Sequence, residues 1–154
     1  MKTDGAHQVY VLKPGDHEAG VDGDSINSGL LHTVRFLIQF AVLTGDAVLK
    51  VFSGATEGTK TTAQTFRHVL ASGDQGALDG DKFGAWATSA ALTLTAATYD
   101  NRLLIVEVDS DQMVEGQAWV TLELGAQATA LNASAVAVGE ARYKAQDHTP
   151  TVIK

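Results

Sequence analysis

Three groupings in this sequence could do chemistry. The first is Gly54-Ala55-Thr56-Glu57-Gly58-Thr59-Lys60-Thr61, which has the outline of a phosphate loop. A phosphate loop needs four residues between its glycines, Lys directly after the second, and a following helix whose amides face the phosphate. Here three residues separate the glycines, and Thr59 stands between Gly58 and Lys60. The segment reads as a loop between strands. The second grouping is the close acid pairs Asp22/Asp24, Asp79/Asp81 and Asp109/Asp111. Alternate carboxylates in a Gly-containing loop can contribute to a calcium site, which takes six to eight oxygens. Asp-Gly-Asp is equally ordinary turn chemistry, and no pair sits in a full twelve-residue calcium-loop pattern, so calcium binding stays open. The third is His7, His17, His32, His68 and His148, scattered with no i, i+4 pair and no His-Glu-x-x-His. No Gly-x-Ser-x-Gly elbow supplies a nucleophile. The residues therefore give no catalytic, cofactor-binding or metal-ligating assignment, and the chain reads as a non-enzyme.

Composition narrows the rest. The 154 residues fit one domain and contain no cysteine, which removes thiol nucleophiles, disulfide scaffolds, zinc ribbons and iron–sulfur sites. Hydrophobic residues at 45% and charged residues at 19% are those of a globular chain. The net charge of −7 opposes a phosphate-binding surface, so no nucleic-acid partner is expected. No apolar run approaches the roughly 20 residues of a membrane helix, so no membrane partner is expected. The first residues lack the apolar stretch of a secretory signal.

The elements that must position any site are strands. Val34, Phe36, Ile38 and Phe40 alternate with Arg35, Leu37 and Gln39. After Thr44-Gly45-Asp46, the residues Ala47, Leu49 and Val51 alternate with Val48, Lys50 and Phe52, so the pair reads as a β-hairpin. Residues 62–70 form a third strand anchored by Phe66, and residues 91–95 a further one. In residues 102–109, Leu104, Val106 and Val108 share one face; Leu103, Ile105 and Glu107 share the other. In residues 117–124, Ala118, Val120, Leu122 and Leu124 point inward; Gln117, Trp119, Thr121 and Glu123 point outward. Residues 131–138 are the last strand. Alanine is abundant, but no apolar stripe of helical period exceeds two turns. The result is an all-β chain of eight or nine strands: an antiparallel β-sandwich over residues 25–140, an N-terminal arm at 1–24 and a C-terminal tail at 141–154. Residues 8–12 have the composition of an edge strand that could be donated to a neighbour, and equally fit a mobile tail. The outward set Leu37, Val48, Phe52, Leu103, Ile105 and Trp119 gives several strands two apolar faces. Such strands are covered by a loop or by a subunit.

The runs Val34–Val51 and Ala90–Met113 resemble a family of small tailed-phage virion proteins. The resemblance continues through Gly116–Leu122, Asn132–Val138, Ala141-Arg142-Tyr143-Lys144 and Thr149-Pro150. It spans roughly residues 24–150 and is a pattern of strands and turns rather than a catalytic signature. It implies a jelly-roll-like sandwich of the head decoration or cement type, on the outer surface of the capsid. It implies the major capsid protein as partner and a homo-oligomer, of which a trimer would match a three-fold capsid position. It implies no catalytic residue, cofactor or metal. The outward apolar residues, Trp119 and Phe52 among them, are then expected at subunit contacts. Two other readings stand beside it. One is a carbohydrate-binding sandwich with Trp86 or Trp119 as platform; the other is a tail or connector component.

Overall fold

The computed structural model describes residues 6–141. It consists of two antiparallel sheets packed face to face. The strands are β1 (Ala6–Asp16), β2 (Val21–Asp22), β3 (Ile26–Asn27), β4 (Leu31–Leu43), β5 (Ala47–Gly54) and β6 (Thr62–Gln64). They continue with β7 (Phe66–Leu70), β8 (Ala87–Ser89), β9 (Leu92–Leu94), β10 (Leu103–Asp109), β11 (Trp119–Leu124) and β12 (Leu131–Ala141). One helical turn, α1 (Ala96–Tyr99), lies between β9 and β10. The first sheet has the order β1-β12-β4-β10-β7-β8. The second has the order β2-β11-β5-β6, with β3 also on β11 and β9 also on β5.

These pairings describe one long hairpin. The chain pairs first with last (β1 with β12), then β2 and β3 with β11, β4 with β10, and β5 with β9 at the tip. Two further pairings, β12 with β4 and β11 with β5, roll the hairpin into two sheets. That is a jelly roll. Strands β6, β7 and β8 are an insertion between β5 and β9, and they widen both sheets. The alternation of the sequence shows the long strands. Pairings two or three residues long, such as β2, β3, β6 and β8, leave no periodic trace.

The core follows the predicted parity. Val34, Phe36, Ile38 and Phe40 are fully buried, as are Leu104, Val106 and Val108 beside them. Ala47, Leu49, Val51, Val120, Leu122 and Leu124 face them from the second sheet. Three alanines of β12 have a packing role. Ala137, Ala135 and Ala133 of β12 lie directly opposite Phe36, Ile38 and Phe40 of β4. Small beside large fills the layer without overlap. One step further, Gly139 lies opposite Val34, and a Cβ there would fall 2.5 Å from Leu31 Cδ1. Tyr99 of α1 meets Phe40 edge to face, with ring centroids 6.3 Å apart.

Three expectations change. The turn at Thr44-Gly45-Asp46 does not close a hairpin: β4 belongs to the first sheet and β5 to the second. Both edges of β4 are taken, by β12 and β10, so β5 meets it face to face across the core. Residues 62–70 are two strands. The chain changes sheets at Thr65, with β6 on β5 and β7 on β10. Within the arm at 1–24, residues 6–16 form β1, paired with β12 of the same chain, and Val9, Val11 and Leu12 enter the core. The edge-strand composition is used within this chain. Residues 1–5 and 142–154, most of the expected tail, lie outside the described residues.

The small-beside-large layer predicts a cost for overfilling. Ala137→Leu should lose about 1–3 kcal/mol by overpacking, and Phe36→Ala about 3–5 kcal/mol by leaving a cavity. Val138→Leu, outward on the same strand, should stay within about 0.5 kcal/mol. Urea denaturation midpoints measure all three. An unchanged midpoint for Ala137→Leu would mean that the layer has spare room.

Candidate functional site

Residues opposite one another in adjacent antiparallel strands put their side chains on the same face. The register therefore writes the outer face of the first sheet as rows. One row is Gln8, Val138, Arg35, Glu107, Arg67 and Thr88. The next is Tyr10, Val136, Leu37, Ile105 and Val69. A third runs Ser134, Gln39 and Leu103. A charged row thus lies beside an apolar row, and a carboxamide-bearing row lies beyond it.

Glu107 is the centre of the charged row. It is only 4% exposed, although it belongs to the solvent side of the sheet. Its Oε2 accepts from Arg35 Nε at 3.0 Å and from Arg35 Nη2 at 2.5 Å. Its Oε1 accepts from Arg67 Nη2. Burial alone would raise this carboxyl, but hydrogen bonds and charge from Arg35 and Arg67 hold it below the ordinary carboxylate range. Arg35 also reaches Glu140 at 3.7 Å. Arg67 lies over the Trp86 ring, 5.3 Å from its centroid. One line of interactions thus crosses from the insertion to β12.

The insertion adds exposed apolar surface. Leu78 is 97% exposed and Trp86 46%, and Phe83 is exposed as well. Their backbone is nonetheless held. Ser72 donates its N–H to Lys82 O, Gln75 to Asn101 O, and Ala71 bridges Phe83. Gln75 Nε2 donates to Phe40 O at 2.9 Å.

The outer face of the second sheet differs. The loop with the phosphate-loop outline folds back over it. Gly58 N–H donates to Ser25 Oγ, which also bonds Thr121 Oγ1 at 2.7 Å. Lys60 binds Asp22 at 2.8 Å and also Glu123, and its ammonium sits 5.6 Å from the Phe52 ring centroid. The hydrogen bonds that Lys60 donates to Asp22 first, then to Glu123, raise its amine above its ordinary value. The lysine that a phosphate would need is held by carboxylates. Phe52, expected at a subunit contact, is half-buried beside this loop of its own chain, and Thr121, expected outward, is buried under Ser25. Trp119 is half-buried opposite Gly54. Val48 is exposed, while Leu37, Leu103 and Ile105 are half-buried on the first sheet.

The acid pairs and the described histidines do not converge, and His148 lies outside the described residues. Among the described residues, no group of three or more His, Cys, Asp or Glu could hold a metal ion. His17 Nε2 lies 3.1 Å from Lys13 O, and burial lowers the His68 imidazole below its ordinary value. Sequence reasoning placed Arg35 and Glu107 on outward positions without joining them, and it missed Arg67. The available signal was unlike charge at outward positions of two otherwise apolar strands. Only the β4–β10 and β10–β7 registers bring those positions together.

The fold and this face define a jelly-roll β-sandwich whose first sheet carries a mixed apolar and charged outer surface. No family model matches the chain, and no curated protein matches it. Among solved structures, the crystal structure of SPBc2 prophage-derived protein YomS is similar over 86% of this chain and 92% of that one. The TM-score is 0.46 and the identity 8%, a likeness too distant to carry function.

The Glu107 carboxyl yields a pH prediction. Its folded value is depressed, so its stabilisation is complete above the unfolded carboxyl value of about 4.3. It is lost as pH falls through the lower folded value. Glu107→Gln should cost about 2–3 kcal/mol at neutral pH, the scale of hydrogen bonds to a charged group. Its advantage to the wild type should shrink as the wild type is acidified. Denaturation midpoints of both proteins, taken from neutral pH into the acid range, check this. A gap between them that does not change with pH would assign the loss to packing.

Proposed function

We propose that this chain is a non-enzymatic structural protein of a phage virion, of the head decoration or cement type, which binds between capsid subunits. The observation that carries the reading is the outer face of the first sheet. Its strands already bury Val34, Phe36, Ile38 and Phe40 inward, yet they present Tyr10, Val136, Leu37 and Ile105 outward. Trp86, under Arg67, and Phe83, bridged to Ala71, add exposed aromatic surface at one end of the face. Aromatic residues and arginine beside a charged border are the composition of a protein-docking surface. The resemblance of residues 24–150 to small virion proteins supports the same reading, and the net charge of −7 suits a location outside packaged DNA.

The size of the face fits repeated use. Six strands about 4.8 Å apart and three rows deep cover about 500 Å². That is short of the roughly 800 Å² per partner of a standard interface. One such contact is weak alone; a lattice repeats it and adds contacts between neighbouring copies. Contacts made only with the mature lattice stabilise that state by mass action. A homo-oligomer, a trimer at three-fold positions, belongs to the same proposal.

Quantitative mass spectrometry of virions is the test. A copy number equal to that of the major capsid protein, or a simple lattice fraction of it, is expected. A ring-sized number would move the chain to the neck or tail. Absence from virions, with quenching of Trp86 fluorescence by sugars, would make it a carbohydrate-binding module. A variant sharpens the outcome. Leu37→Glu should lower occupancy on undecorated heads tenfold or more, about 1.4 kcal/mol, with an unchanged unfolding midpoint. Unchanged occupancy would exclude this face.

A further inference from the structure

At the end of the same face lies a notch of about 290 Å³, lined by Gln39, Gln75, Asn132 and Ser134, with Pro14 and Gly15 along one side. This is just below the roughly 300–1,000 Å³ range of ligand pockets. Its polar groups are of one kind, set among the apolar Pro14, Ala41 and Ala133. Three carboxamides and one hydroxyl line it, with no ionisable side chain. Gln75 is fixed at both ends, by its N–H on Asn101 O and its Nε2 on Phe40 O. The side chains of Gln39, Asn132 and Ser134 make no hydrogen bond to other described residues. A preorganised wall thus faces three groups with unused donor and acceptor capacity.

We infer that this notch binds an uncharged, extended stretch of a partner protein's main chain. The inference rests on the docking reading of the same face and names the chemistry of one part of it. A carboxamide offers a donor and an acceptor side by side, which matches the C=O and N–H of a peptide unit. The absence of charge in the lining disfavours anions, cations and charged side chains alike. A saccharide is disfavoured because the notch has no ring to stack on. The one aromatic residue at its floor, Phe40, is fully buried. Selectivity would come from hydrogen bonds, so binding would change little with salt.

The experiment is titration of the whole ¹⁵N-labelled protein with acetyl-tetraglycine amide, and separately with glucose and N-acetylglucosamine. The readout is the side-chain NH₂ signals of Gln39, Gln75 and Asn132. Saturable shifts of these signals with the peptide, absent with both sugars and unchanged by added salt, are the expected result. Gln39→Ala, at an exposed position that leaves the fold intact, should weaken binding several-fold. Asn132→Leu should abolish it. Shifts with the sugars, or with neither probe, would overturn the inference. Neither result touches the virion copy number, so failure here is distinct from failure of the docking reading.

Discussion

The pairing of β12 with β4 is the interaction on which this molecule depends. It sets Ala133, Ala135 and Ala137 against Phe40, Ile38 and Phe36, and it converts a long hairpin into a roll. Without it, β1 would have a partner but no sheet, and β4 would keep an open edge beside β10. The small side chains of β12 let the large ones of β4 fill the layer toward the second sheet. The three alanines of β12 are thereby explained by shape rather than by helix propensity.

The same pairing fixes the outer face. Once β4 has β12 on one edge and β10 on the other, Arg35 must lie beside both Val138 and Glu107. A carboxylate at that outward position is then crowded by Arg35 and Arg67 and loses most of its exposure. The charged row is a product of register, and the apolar row beside it is its neighbour two residues along each strand.

Much of this was legible in the sequence, and the boundary has a physical meaning. Alternation gives the face of a strand, and the buried parity of Phe36, Leu104 and Leu122 follows it. Alternation says nothing about edges. Residues 44–46 therefore read as a hairpin turn although they cross between sheets, and the break at Thr65 was invisible. The candidate surface was half legible. Leu37, Leu103 and Ile105 could be named as outward and apolar. Their assembly with Arg67 and Trp86 required pairings between distant segments. Phe52 and Trp119, with the same outward parity, lie on a sheet partly closed by the Lys60 loop.

The long hairpin also sets an order of events during synthesis. The first sheet joins residue 6 to residue 140, so its closure waits for β12 to leave the ribosome. Until then β4 carries an unpaired edge flanked by phenylalanines, the kind of strand that pairs with the wrong chain. Contacts this distant in sequence make folding slow relative to a helical protein of equal size. The chain is thus most vulnerable to aggregation until residues 131–141 have paired with β4.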